Sequence, residues 1–192
     1  MINLNKLIDK AKENSITGIC LVHFLTQCDH ESMGFTKIKE LEKYRYKTGK
    51  LLFPKHKLTL ENKQKELKAK DDDFVTQPYF FDLVYGNRMG NNDKEGYKFR
   101  GRGLIQLTGK DNYKAYAAFK KKTLEEVIKY LETEEGAIDS AIYFWNTNKL
   151  NVLALKDDIT AITKKINGGI NGLEERKKLL LKYKKFNNIE FI

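Results

Sequence analysis

Three acidic side chains open the chemical reading. Glu31 ends the run Gln27-Cys-Asp-His-Glu31, just before Gly34. A carboxyl at the end of an apolar helix and beside a glycine break can face a cleft while partly desolvated. Desolvation raises its proton affinity, and a general acid needs a proton near neutrality. Glu40 and Glu42 follow within a dozen residues. Hydrolysis of a glycosidic bond commonly uses a second carboxylate, roughly 6.5–9.5 Å from the acid for inversion and about 5 Å for retention. If residues 36–46 form a helix, only one of the two can face the acid, because positions two apart project about 200° apart. Spacing alone leaves Glu40 and Glu42 both open as the base.

Other chemistries find less support. His23, His30 and His56 have no zinc-type spacing with the two cysteines, so no metal site is expected. His23 reads as a core histidine, and His30 as a neighbour able to bond Glu31. Neither a G-x-S-x-G elbow nor a phosphate-cradling glycine loop occurs. The lysine clusters at 120–122, 164–165, 177–178 and 184–185 are spread over several helices and mixed with acids. Base readout leans on Arg, Asn and Gln concentrated on one element, so no specific nucleic-acid binding is expected.

The elements that must position these residues are mostly helical. Residues 3–13 carry Leu4, Leu7, Ile8 and Ala11 at helical spacing, and residues 16–30 carry a second, mostly apolar stripe. On one helix Cys20 and Cys28 lie about 12 Å apart, too far for a disulfide, so both are expected as buried thiols. A short helix is expected over 36–46, a charged surface segment over 58–73, and an aromatic, apolar run over 79–85. Residues 86–109 hold six of the chain's 13 glycines and read as a long functional loop, with a small hairpin around Tyr97–Phe99 and Leu104–Leu107. Helical patterns return over 111–119, after a capping box at Thr123, over 134–146, over 159–166, and from Asn171 through Tyr183.

Composition bounds the rest. With 192 residues, 41% hydrophobic and 11% aromatic, the chain can bury a core as a single domain, and no domain boundary is visible. Disordered, collagen-like and disulfide-scaffold classes are excluded. Lysine and arginine total 36 against 26 acids, a net charge of +10 that favours anionic polymers. No apolar run is long enough for a signal peptide or a membrane span, so the expected location is a host cytoplasm until some other agent releases the protein to the wall.

Four stretches together resemble glycoside hydrolase family 19, in particular its bacterial and phage endolysin branch. They are His23-Phe-Leu-Thr-Gln-Cys-Asp-His-Glu-Ser-Met-Gly-Phe35, Val84-Tyr-Gly-Asn-Arg-Met-Gly-Asn91, the most specific stretch Tyr97-Lys-Phe-Arg-Gly-Arg-Gly-Leu-Ile-Gln-Leu-Thr-Gly-Lys-Asp-Asn-Tyr113, and Ile162-Thr-Lys-Lys-Ile-Asn-Gly-Gly-Ile-Asn-Gly172 with Arg176 after it. Their order and spacing match over roughly residues 20–180. The plant branch carries several disulfides that this chain cannot make.

The resemblance implies a mainly α, two-lobed lysozyme-like fold, with the glycine-rich region lining a cleft and no separate wall-binding domain. It implies an inverting, cofactor-independent hydrolysis of β-1,4-linked N-acetyl amino sugars. Glu31 matches the general acid. Glu40 matches the general base, with Glu42 the alternative register because Glu40-Leu-Glu-Lys-Tyr44 departs from the family's Glu-Asn-Leu-Asn-Tyr. Thr108 matches the hydroxyl that helps hold the attacking water. Asn87, Arg102, Gln106 and Asn112 match substrate-binding positions, and Asn167 and Arg176 match polar groups on the far side of the cleft. The implied partners are peptidoglycan glycan strands and anionic wall polymers, met by a monomer. A chitinase acting on chitin oligosaccharides and a non-catalytic wall or nucleic-acid binder are the other readings. Gln106, Thr108 and Asn112 beside Glu31 favour an enzyme.

Overall fold

The computed structural model describes residues 1–40 and 43–190, side chains of 186–190 excepted. The described chain is mainly helical. In order the helices are α1 (Leu4–Glu13), α2 (Gly18–Glu31), α3 (Tyr46–Leu52), α4 (Lys57–Glu66), α5 (Tyr79–Tyr85), α6 (Lys110–Lys120), α7 (Leu124–Leu131), α8 (Glu134–Thr147), α9 (Leu150–Ala154), α10 (Ile159–Asn167) and α11 (Leu173–Glu190), with a 3-10 turn at Pro54–His56. They divide between two compact units. One comprises Met1–Lys39, Arg102–Gln106 and Glu125–Ile192; the other comprises Glu40–Gly101 and Leu107–Leu124.

The first unit is built on α2. Ten of its 14 residues are buried, which is why its apolar stripe reads as nearly continuous. Phe24 and Trp145 of α8 are fully buried and meet edge to face at 5.4 Å. Burying each such ring contributes roughly 1.5–3 kcal/mol. Trp145 Nε1 donates to Asn151 Oδ1 at 2.7 Å, so its one polar atom is satisfied. The helix starts follow local chemistry: Asn3, Thr133 and Asp158 each accept a bond from a backbone N–H of the first turn, worth about 1 kcal/mol apiece. Cys20 and Cys28 are buried thiols. His23 is indeed in the core, fully buried, with Nε2 2.7 Å from Asp157 Oδ1.

The second unit has its own aromatic centre. Phe80 and Phe81 of α5 are fully buried beside Tyr46, Leu60, Val75 and Val84. Tyr44 stacks on Phe80 at 4.7 Å, and Tyr85 stacks on Phe81 at 6.0 Å.

Three local expectations change. The helix expected over 36–46 does not form. Lys39 bridges to Arg102, Glu40 N donates to Gly101 O at 2.9 Å, and Arg45 bridges to Phe74. Backbone pairing to distant segments outcompetes a weak helical pattern. Glu42 lies outside the described residues. The charged segment 58–73 is largely the helix α4, held by one fully buried side chain, Leu60, and by pairs such as Lys63–Glu66. The hairpin expected within 97–107 is replaced by turns. Phe99 N returns to Glu95 O, Gly103 N goes to Ile38 O, and Gly103 and Gln106 both adopt positive φ. Left-handed residues reverse the chain where a hairpin arm would have to stay extended.

Candidate active site

Within the first unit, Glu31 is the last residue of α2. The helix stops there because the chain turns left-handed over Met33, Gly34 and Phe35, and because Ser32 folds back to bond the Cys28 carbonyl. A carboxylate at a helix C-terminus meets the negative end of the helix dipole. The cation that offsets it is Arg176 of α11. Its Nη2 donates to Glu31 Oε1, and its Nη1 donates to Gln27 Oε1, one turn earlier on α2. The Arg176 side chain is 2% exposed and that of Glu31 20%, so the pair is largely shielded from water. Arg176 thus stands directly against the expected acid, not across from it. The Glu31 Oε2 oxygen has no hydrogen-bond partner among the described residues.

Neighbours fix this pair. Asp29 accepts from the Tyr183 hydroxyl at 2.7 Å, a second tie between α2 and α11. The His30 ring rests against Gly172: a Cβ there would lie 2.5 Å from His30 Nε2. Gly172 also has φ +71°. Both facts demand glycine at the entry to α11. Burial holds the His30 imidazole below its ordinary pKa, and the Arg176 cation adds to this.

The other expected residues of this unit have internal partners. Arg102 is buried, with Nε donating to Glu132 Oε1 at 2.7 Å. That guanidinium, expected to bind substrate, is thus paired within this unit. Gln106 has φ +52° and donates from Nε2 to Gly103 O at 2.9 Å. Asn167 closes α10 and donates to Asn171 O at 3.1 Å, shaping the turn into α11.

Within the second unit, Glu40 is held from both ends of its carboxylate. Oε1 accepts from the Tyr85 hydroxyl at 2.9 Å, and Oε2 accepts from the Gly101 N–H at 3.1 Å. The Tyr44 hydroxyl bonds the same carboxylate, and the Arg100 cation lies near it. Burial raises the Glu40 pKa, while the Gly101 amide, the two phenols and Arg100 act against that rise. The effect is mutual: burial and the Glu40 charge push the Tyr44 phenol up to about 12. Four lone-pair positions are available on a carboxylate and three donors engage it, which leaves room for one more donor.

Thr108 and Asn112 come together in this unit, the Asn112 amide donating to the Thr108 carbonyl at 2.7 Å. Asn87 is exposed in a left-handed turn, at φ +56°. Its loop is tied down by buried Asn91, which donates to Tyr85 O and accepts from Lys110 N, both at 2.9 Å. Among the described residues, no group of three or more His, Cys, Asp or Glu could hold a metal ion.

Several residues of this arrangement escape a reading of spacing. Gln27 and the partnership of Arg176 with Glu31 join positions 145 or more apart. Tyr44, Tyr85, Arg100 and the Gly101 amide surround Glu40 from three separate segments. A signal existed for all four residues around Glu40: Tyr44 closes the Glu40-Leu-Glu-Lys-Tyr44 stretch, Tyr85 lies within Val84–Asn91, and Arg100 and Gly101 lie within Tyr97–Tyr113.

No family model matches the chain. It is, however, 36% identical over 167 residues to a protein of Haemophilus influenzae (strain ATCC 51907 / DSM 11121 / KW20 / Rd) described as a glycosyl hydrolase family 19 domain-containing protein. The aligned region covers 81% of this chain and 74% of that relative.

Proposed function

The chain belongs to glycoside hydrolase family 19, and from that premise we propose that it is a muramidase-type endolysin cleaving the β-1,4 bond between N-acetylmuramic acid and N-acetylglucosamine. The observation that carries peptidoglycan over chitin is the charge of +10. Chitin is neutral, whereas bacterial walls carry carboxylates and phosphates that such a surface attracts.

The proposed reaction is a single inverting displacement. Water attacks the anomeric carbon as the glycosidic C–O bond breaks. Glu31 gives its proton to the leaving oxygen, and Glu40 takes one from the attacking water. The surroundings of the two carboxyls support these roles. Arg176 on Oε1 of Glu31 stabilises the anion left after proton donation. Burial raises the proton affinity of Glu40, which strengthens a base, and the donors around it hold its orientation. The Thr108 hydroxyl steadies the water, with its backbone braced by Asn112. Asn87, Gln106 and Asn167 supply amides for sugar hydroxyl and acetamido groups.

The test is incubation of the protein, beside Glu31→Gln, with purified peptidoglycan, followed by borohydride reduction and mass spectrometry of the soluble fragments. Reduced muramic acid ends, absent with the variant, are the expected result. Reduced glucosamine ends would overturn the bond assignment. Activity confined to chitin oligosaccharides would make the protein a chitinase, and fragments released equally by Glu31→Gln would remove Glu31 from the acid role.

A further inference from the structure

Tyr85 makes a contact whose geometry exceeds what packing requires. Its ring is already anchored, stacked on fully buried Phe81 at 6.0 Å and 24° between planes. Its backbone carbonyl is held by Asn91 at 2.9 Å. The next residue, Gly86, is pressed so closely on the backbone that a Cβ there would lie 2.3 Å from Asp82 O and 2.6 Å from Asp93 O. A ring fixed at these points has little freedom, and its hydroxyl lands on Glu40 Oε1 at 2.9 Å. Gly101 N–H meets the other oxygen at 3.1 Å. The carboxylate plane is thereby defined by two donors on separate segments.

We propose that Tyr85 is a positioning residue for the base: its hydroxyl fixes the orientation of the Glu40 carboxylate and leaves one acceptor position for a water. This rests on the reading of Glu40 as the base. The physical reason is directional. A donor that bonds the charged form of a carboxylate favours that form, so the phenol keeps Glu40 ionised against the burial that would protonate it. The titratable and charged groups facing Glu40 are Tyr85, Tyr44 and Arg100, all of which favour the anion. A base must be anionic to accept a proton, so loss of the Tyr85 hydroxyl moves the acidic limb of activity to higher pH.

The experiment is Tyr85→Phe in the full chain, which keeps the stacked ring and removes only the hydroxyl. The Glu40 carboxyl is followed by carbon-13 NMR titration, assigned by its disappearance in Glu40→Gln. kcat/KM is measured against pH on glycan strands freed of peptide. The expected result is a rise of about one pH unit in both the carboxyl titration and the acidic limb, with a several-fold loss of kcat and little change in KM. Replacing Tyr85 by difluorotyrosine, a stronger donor, is expected to shift both in the opposite direction. This second variant retains the hydroxyl and covers the case in which Tyr85→Phe fails to fold. An unmoved carboxyl titration in either folded variant overturns the proposal. A moved titration with full activity in Glu40→Gln instead overturns Glu40 as the base, so the two failures are distinguishable.

Discussion

Replacing Arg176 by Met probes the contact on which the setting of Glu31 depends. Methionine keeps an apolar stem of similar reach and removes the guanidinium. Two charge-assisted hydrogen bonds are lost, one to Glu31 and one to Gln27. Each is worth roughly 1.5–3 kcal/mol, and breaking a buried ion pair from one side costs roughly 3–5 kcal/mol. The Glu31 side chain is 20% exposed, so water recovers part of its solvation. We therefore expect a loss near the lower bound, about 3 kcal/mol. For a chain of this size that lowers the melting temperature by roughly 6–12 °C. Urea unfolding of the wild type, Arg176→Met, Glu31→Gln and the double variant closes a thermodynamic cycle. In the Glu31→Gln background no carboxylate is stranded, so the arginine substitution should cost about 1.5 kcal/mol less than in the wild type. Additivity within about 0.5 kcal/mol would refute the argument, because it would mean that the two side chains do not communicate energetically.

Two further outcomes are expected. Gly172→Ala should destabilise the fold by roughly 1–2 kcal/mol from its left-handed φ alone, with more from the collision with His30; in a His30→Ala background only the second part should be recovered, and an unchanged unfolding midpoint for the single variant would contradict this. His23, His30 and His56 are all held below their ordinary pKa, chiefly by burial, so the unfolded chain binds protons that the native chain refuses and stability should fall as pH drops below about 6.5. Glu40, raised by burial, works in the opposite sense but is one group against three; urea midpoints that fail to decline between pH 7.5 and 5.5 would count against this.

The parts of the fold that sequence made legible are those whose burial is periodic. The stripe of Leu7 and Ala11 in α1, the apolar run of α2 and the alternation around Ala137, Ala141 and Trp145 in α8 each mark a face that the structure buries. α4 was hidden because a single side chain, Leu60, anchors it, and one residue has no period. Residues 36–46 misled because their weak helical spacing competes with backbone partners at Gly101, Arg102 and Phe74, which no local pattern reveals. Glu31 was legible as a candidate carboxylate at a helix end, and Glu40 as one of two candidates, beside Glu42, that only the resemblance separates. That Arg176 and Tyr85 are the groups that hold them was not legible, because these reach them from 145 and 45 residues away.

The order in which the chain is made separates the two carboxylates in time. The second unit ends at Leu124, so Tyr44, Tyr85, Arg100 and Gly101 have all been synthesised while α8 to α11 are still to come. The first unit needs both ends of the chain, since α2 packs chiefly on α11. Until Arg176 leaves the ribosome, the buried face of α2 lacks its main cover and Glu31 lacks its cation. A nascent chain therefore carries a complete cradle for Glu40 well before it can shield Glu31, and the exposed apolar surface of α2 is what chaperones and proteases would meet in the interval.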